Sequence, residues 1–139
     1  MDISYYIDQM NHFFLKTYGT WWNGYEITID PAYDKEHDYK ITYIDEFDIE
    51  HIIFITKEKF KNFQKILYKN LKKFKYSFVG YKEEDLSQFR LTISKQFDFD
   101  NSIFPLVNYQ LEYFGGINET PKSYSKIIKE LENLIGITL

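Results

Sequence analysis

The clearest periodic pattern in the chain is an amphipathic stretch at residues 57–75, KEKFKNFQKILYKNLKKFK. Its apolar side chains recur every three or four residues and fall on one stripe of a helix; they are Phe60, Phe63, Leu67, Leu71 and Phe74. Lysines occupy a broad arc on the opposite side, and Glu58 is the only acid. The pattern predicts a long helix with Thr56 as its N-cap, packed by its apolar stripe on a hydrophobic core.

Two other segments have helical spacing. Residues 2–18 place one set of side chains on a common side as far as Gly19, which predicts a first helix; the set is Ile3, Tyr6, Ile7, Met10, Phe13 or Phe14, and Thr17. Near the other end of the chain, Thr120 suits an N-cap, Pro121 the first helical position, and Gly136 the residue after the last turn. These boundary signals enclose an apolar set at helical spacing and predict a third helix.

Between the first two predicted helices the period changes from helical to two. Apolar and polar positions alternate at residues 25–29, 39–43 and 47–55, which predicts three strands. The connecting turns are expected at residues 31–38 and 45–46. Because these connections are short and contain no helix, the strands should be antiparallel neighbours in sequence order.

Alternation returns after the basic helix. Strands are predicted at residues 89–93 and 107–113, and residues 76–81 are a candidate for a further short strand. The predicted order is α-βββ-α-ββ(β)-α, without a linker, an internal repeat or a low-complexity tract. We therefore expect a single α+β domain over residues 1–139, in which three helices pack on a mostly antiparallel sheet of five or six strands.

Charge is distributed unevenly along this pattern. The basic segment 57–75 holds eight lysines and one glutamate, a net charge of +7, whereas the whole chain carries −4. From Glu26 to Glu50 there are nine carboxylates against two lysines, interleaved with aromatic side chains. Protein interfaces use aromatic residues as anchors and carboxylates to attract basic partners. The candidate partner-binding residues are Trp21, Trp22, Tyr33, Asp34, Glu36, Asp38, Tyr39, Asp45, Glu46 and Asp48.

The lysines of the basic segment have three interpretations. A nucleic-acid site is disfavoured because the segment contains no arginine and the rest of the chain is acidic. A membrane-surface helix is disfavoured because the apolar stripe is needed for the core. The interpretation that we favour is an exposed helix face that keeps the protein in solution.

Several kinds of site are excluded or disfavoured by the sequence. The chain has no cysteine, which excludes disulfides, thiolate metal sites and cysteine nucleophiles. No segment reaches the ~18 consecutive apolar residues of a membrane span, and the first residues lack a basic region followed by an apolar run. We therefore expect a cytoplasmic protein that does not enter the membrane. No glycine-rich phosphate loop or Gly-x-Ser-x-Gly motif occurs, so no cofactor and no catalytic residue is assigned.

Two arrangements of acidic residues resemble metal sites in part. A calcium loop that began at Asp34 would need a glycine where Tyr39 stands and a glutamate where Asp45 stands. Asp30, Asp38 and Lys40 have the residue types of a metal-dependent nuclease, but a second acidic residue is missing from the usual place. The three histidines, His12, His37 and His51, have no local two-ligand spacing. Each is interpreted as structural, and His51 as a hydrogen-bonded, partly buried imidazole.

In size, α+β build, lack of catalytic motifs, residue usage typical of AT-rich genes and an acidic aromatic surface, the chain resembles bacterial toxin-immunity proteins, including those paired with contact-dependent inhibition toxins. The resemblance implies a non-enzymatic protein that binds a basic, nuclease-type toxin and occludes its active site, with carboxylates in place of substrate phosphates. It assigns no individual residues. Two alternatives stay open at this point: a phage-encoded inhibitor of a host defence complex, and a small metal-dependent nuclease.

Overall fold

A computed structural model describes residues 3–18, 23–71, 89–97, 106–115 and 122–139. These residues form three helices and six strands in the order α1 (Ile3–Gln9), β1 (His12–Tyr18), β2 (Asn23–Pro31), β3 (Tyr39–Ile44), β4 (Glu50–Ile55), α2 (Lys57–Leu71), β5 (Phe89–Phe97), β6 (Leu106–Gly115) and α3 (Lys122–Ile135). The strands make one sheet in the order β4-β3-β2-β1-β5-β6, and every neighbouring pair is antiparallel. The predicted α+β fold is confirmed.

The helices pack on one face of this sheet. Alternate residues of β1 are buried beneath them, including Phe13 and Leu15. The ring of Phe63 meets that of Phe13 edge-to-face, with centroids 5.0 Å apart, and the ring of Phe60 stacks on Tyr39 at 3.9 Å. Residues Phe60, Phe63, Leu67 and Leu71 of α2 are all buried, as the helical stripe predicts. Phe74 lies outside the described residues.

The first predicted helix is wrong over its second half. Only Ile3–Gln9 is helical, and His12–Tyr18 is the strand that lies between β2 and β5. The segment HFFLKTY satisfies both periods, because its positions 13 and 17 have helical spacing while its positions 13, 15 and 17 also alternate. Its aromatic and β-branched side chains favour a strand, and pairing with a neighbour on each side decides the outcome.

The other predicted strands are present but extend beyond the predicted bounds, most clearly β2, which spans Asn23–Pro31, and β5, which continues to Phe97. The start of β4 also differs. The strand expected to begin at residue 47 begins at Glu50, because residues 45–49 form a turn in which Asp48 donates its backbone N–H to the Asp45 carbonyl at 3.0 Å. Gly136 ends α3 with φ 84° and donates its N–H to the Glu132 carbonyl at 2.7 Å, so its predicted role is confirmed. The end of the basic segment at residues 72–75, the candidate strand at 76–81, and the start signals at 120–121 lie outside the described residues.

Candidate partner-binding surface

The candidate partner-binding residues are divided between the two ends of strand β3. Residues 32–38, hereafter the β2–β3 loop, precede β3, and residues 45–49, the β3–β4 turn, follow it. A six-residue strand is about 17 Å long, so the carboxylates in the loop and those in the turn are separated by at least that distance. The described candidates therefore form two surfaces rather than one face. Trp21 and Trp22 lie outside the described residues.

Asp34 organises the β2–β3 loop. Its Oδ1 accepts the backbone N–H groups of Glu36 at 2.9 Å and His37 at 2.6 Å, and its Oδ2 lies 3.1 Å from His37 Nδ1. The hydrogen bond from the His37 ring, followed by the backbone hydrogen bonds, holds the pKa of Asp34 below its usual value. The Asp34 carboxylate is thus engaged in shaping its own loop.

Two contacts fasten the same loop to the rest of the protein. Asp38 Oδ2 accepts the backbone N–H of Lys57 at 2.8 Å, which satisfies one of the unpaired donors at the start of α2. Thr56 Oγ1 accepts the N–H of Lys59 at 3.2 Å, which confirms its predicted N-cap role. The second contact of the loop is the His37 ring, which stacks on Phe54 of β4 with centroids 3.9 Å apart. The loop is therefore joined to α2 by Asp38, which acts as a helix-capping group, and to β4 by His37.

The two tyrosines of this region differ in exposure. Tyr39 is partly buried against Phe60, and this burial raises the pKa of its phenol. Most of its ring serves the core rather than the surface. Tyr33 is 63% exposed and has φ 56°, a left-handed backbone that costs a non-glycine residue roughly 1–2 kcal/mol. Of the two, Tyr33 is the one that presents its ring to solvent.

Asp45 has the same role in the β3–β4 turn as Asp34 has in the loop. Its Oδ1 accepts the N–H groups of Phe47 at 2.8 Å and Ile49 at 3.0 Å, and its Oδ2 lies 2.9 Å from His51 Nε2. The hydrogen bond from the His51 ring is the main cause that lowers the pKa of Asp45, followed by the Ile49 N–H. The predicted hydrogen bonding of His51 is confirmed, but its predicted partial burial is wrong, because β4 is the outermost of the described strands and the ring is exposed.

The remaining side chains of the turn point outward. Phe47 is 81% exposed, the highest value among the described large hydrophobic residues. Glu46, Asp48 and Glu50 surround it in sequence and are exposed, and no hydrogen bond of theirs to another described side chain is present. Because Asp45 holds the backbone, the turn presents an aromatic ring among carboxylates on a fixed support.

A polar row that the sequence did not predict lies on the face of the sheet opposite the three described helices. His12 Nδ1 lies 2.5 Å from Asp30 Oδ1, and Ser94 lies directly opposite His12 on β5. A nucleophilic triad needs the serine oxygen within about 2.6–3.2 Å of the histidine. Ser94 Oγ is buried and forms no hydrogen bond to any described residue, His12 included. The row was hidden from sequence analysis because residue 12 was placed in a helix and residue 94 is remote in sequence.

The residues considered for a nuclease-like metal site have separate partners. Asp30 pairs with His12, whereas Asp38 caps α2. Across the described ranges, no group of three or more histidine or acidic side chains is arranged to hold a metal ion.

The lysines of α2 are exposed, as predicted; they are Lys57, Lys59, Lys61, Lys65 and Lys69. Within the same ranges, no helix combines the length and the apolar character needed to cross a membrane.

Comparison of the chain with protein-family models, with curated proteins and with solved structures finds no match.

Proposed function

We propose that the protein is a non-enzymatic binding protein that uses the β3–β4 turn to hold a basic protein partner. The observation that carries the proposal is Phe47, which is 81% exposed on a turn fixed by Asp45. The fold gains little from this ring, because it contributes almost nothing to the core. A large aromatic side chain held in place in this way resembles the anchors that supply most of the binding energy at protein interfaces.

The carboxylates around Phe47 indicate the charge of the partner. Glu46, Asp48 and Glu50 give the turn a local negative charge without a neighbouring lysine between residues 41 and 56. Such a patch speeds association with a basic surface and slows encounters with acidic ones. Because the backbone of the turn is already ordered, binding loses less conformational freedom than it would with a flexible loop.

The partner that we propose is a nuclease-type toxin, which makes this chain its immunity protein. A nuclease active site is basic because it binds phosphates, so the carboxylates of the turn are suited to occupy the same positions. The mechanism is occlusion: Phe47 inserts beside the active site, and Glu46, Asp48 and Glu50 take the place of substrate phosphates. An immunity protein of this kind acts in the cytoplasm, where the toxin would reach nucleic acid.

Inhibition of the product of the neighbouring gene is the direct test. We expect the purified chain to abolish the nuclease activity of that product at an equimolar ratio, and Phe47→Ala to raise the concentration needed for half inhibition by about 30-fold, which corresponds to about 2 kcal/mol. Tyr33→Ala is the matched control, since Tyr33 is an exposed aromatic residue in the other loop. Equal inhibition by wild type and Phe47→Ala, with a loss in Tyr33→Ala, would contradict the proposal.

A further inference from the structure

The exposed lysines of α2 form a row along the helix. Lys61, Lys65 and Lys69 follow one another at intervals of four residues, so they lie about 6 Å apart along the helix axis, on the side away from its buried residues. No acidic residue occurs in the helix from Lys61 onward. Within the described ranges, no acidic side chain forms an ion pair with any of these lysines. The protein therefore leaves the charge of this row open to a partner.

Helix α3 carries a second row of lysines. They are exposed and lie on the side opposite the buried residues of the helix; they are Lys122, Lys126 and Lys129. The two acids of α3, Glu130 and Glu132, are only partly exposed. The outer side of α3 is therefore basic, like that of α2.

The two rows lie on the same side of the protein. Helices α2 and α3 pack against each other and on one face of the sheet, where the ring of Phe63 contacts Phe13 and the ring of Tyr124 stacks on Phe89 at 4.0 Å. Packed helices are about 8–10 Å apart. The six lysines of the two rows therefore form one basic surface that is two helices wide, hereafter the lysine face.

We propose that the lysine face binds the phosphate backbone of a nucleic-acid duplex without reading its sequence. A duplex presents a dense array of phosphates, and each lysine that contacts one releases a bound counterion. The exposed polar residues on the outer sides of the two helices include Asn62 and Asn133. Asparagine, like lysine, donates hydrogen bonds to phosphate oxygens and so suits such a contact.

The composition of the two helices disfavours other anionic partners. Among their large hydrophobic side chains, only Tyr68, at 40%, is exposed rather than partly or fully buried. A helix that lies on a membrane inserts an apolar side into the lipid, and a protein interface needs apolar or aromatic anchors. Proteins that bind single strands use several aromatic rings on which the bases stack. A duplex requires none of these, because its phosphates lie on the outside.

The structure separates the lysine face from the acidic segments. The β2–β3 loop and the β3–β4 turn lie at the two ends of β3, in the sheet. A helix with its side chains is about 10–12 Å across, so the outer side of the helices lies about one Debye length from the sheet at 0.1 M salt. Lys57 is not part of the face, because its N–H bonds to Asp38 of the acidic loop. The turn that carries Phe47 takes no part in the contact, so the inference is independent of the proposed function.

Fluorescence anisotropy of a short labelled DNA duplex, titrated with the full chain, tests the contact. We expect a dissociation constant in the micromolar range at low salt. The logarithm of the association constant should fall linearly with the logarithm of the salt concentration, with a slope of about −4, because each lysine contact contributes about −0.9. A duplex of another sequence and an RNA duplex should bind similarly, since the lysines contact phosphates rather than bases or sugars.

Paired substitutions locate the contact on α2. Lys61→Gln with Lys65→Gln should weaken binding and make the slope shallower by about 2. Lys35→Gln with Lys40→Gln is the matched control, because it changes the net charge equally but in the β2–β3 loop and β3. This control should bind like wild type. Circular dichroism of each variant confirms that it is folded.

A second pair of substitutions tests the contribution of α3. Lys126→Gln with Lys129→Gln should also make the slope shallower by about 2. Wild-type binding in this variant would contradict a face that spans both helices.

Three further results would overturn the inference. Absence of duplex binding at low salt would exclude the contact. Equal weakening by Lys35→Gln with Lys40→Gln would show that only net charge matters. Tighter binding to vesicles of phosphatidylserine and phosphatidylcholine than to the duplex would assign the lysine face to a membrane surface.

Discussion

The β2–β3 loop and the β3–β4 turn are held by the same arrangement of side chains but differ in how they are connected to the rest of the protein. In each, an aspartate accepts two backbone N–H groups and contacts a histidine ring: Asp34 with His37 in the loop, and Asp45 with His51 in the turn. The loop is further joined to α2 through Asp38, whereas the turn has no such connection among the described contacts. The comparison teaches that the number of carboxylates in a segment is a poor guide to binding, because several of them hold the backbone.

The largest effect is expected from the core that supports the loop. Phe63→Ala removes a fully buried ring that packs on Phe13, and should lower the free energy of unfolding by about 3–5 kcal/mol. Denaturant unfolding measures this loss, with Lys65→Ala as the control on the exposed side of the same helix. A loss below about 0.5 kcal/mol for Phe63→Ala would mean that α2 is peripheral.

A second aspartate in each segment tests whether the loop and the turn differ in their contribution to stability. Asp38→Ala removes a group that caps α2 and should lower the free energy of unfolding by about 0.5–2 kcal/mol. Asp48→Asn removes a charge from the turn and keeps a residue that tolerates the φ of 61° found there, so the change should stay within about 0.5 kcal/mol. Thermal unfolding measures both variants. Equal losses of unfolding free energy would contradict the conclusion that the loop is joined to α2 and the turn is not.

A smaller and shared effect is expected in acid. The pKa values of Asp34 and Asp45 are lowered in the folded state from 3.8, so their contribution to stability is complete above this value and is lost as the pH falls through the lower folded pKa. Unfolding measured at a series of pH values should show stability falling below pH 3.8 in wild type. Asp34→Asn and Asp45→Asn should each flatten this dependence. An unchanged slope in both variants would mean that the two carboxylates do not stabilise their turns.

The fold was predictable where the local signals agreed. Helix α2 combined an apolar stripe with the Thr56 cap, and α3 ended at Gly136 as expected. Strand β1 was not predictable from period alone, since its positions fit a helix and a strand equally and its pairing partners on β5 are remote in sequence. Local spacing carries no information about such distant partners.

The candidate site was predictable in part. Successive hairpin turns lie at opposite ends of the strand between them, so the predicted hairpins already implied that Asp34 and Asp45 lie far apart. The role of each carboxylate required the structure, because an aspartate that accepts backbone N–H groups has the same sequence context as one that faces a partner. The exposure of Phe47 was hidden for a similar reason, since its alternation with Ile49 favoured a strand.

The central claim, that the turn rather than the loop meets the partner, is tested most directly by surface plasmon resonance against the product of the neighbouring gene. We expect Glu46→Lys with Glu50→Lys to slow association and to reduce its dependence on salt, because these carboxylates attract a basic surface. Phe47→Ala should instead speed dissociation by about 30-fold. The same changes in the loop, Glu36→Lys and Tyr33→Ala, should leave both rates near those of wild type. Loss of binding in the loop variants, with wild-type rates in the turn variants, would contradict the account.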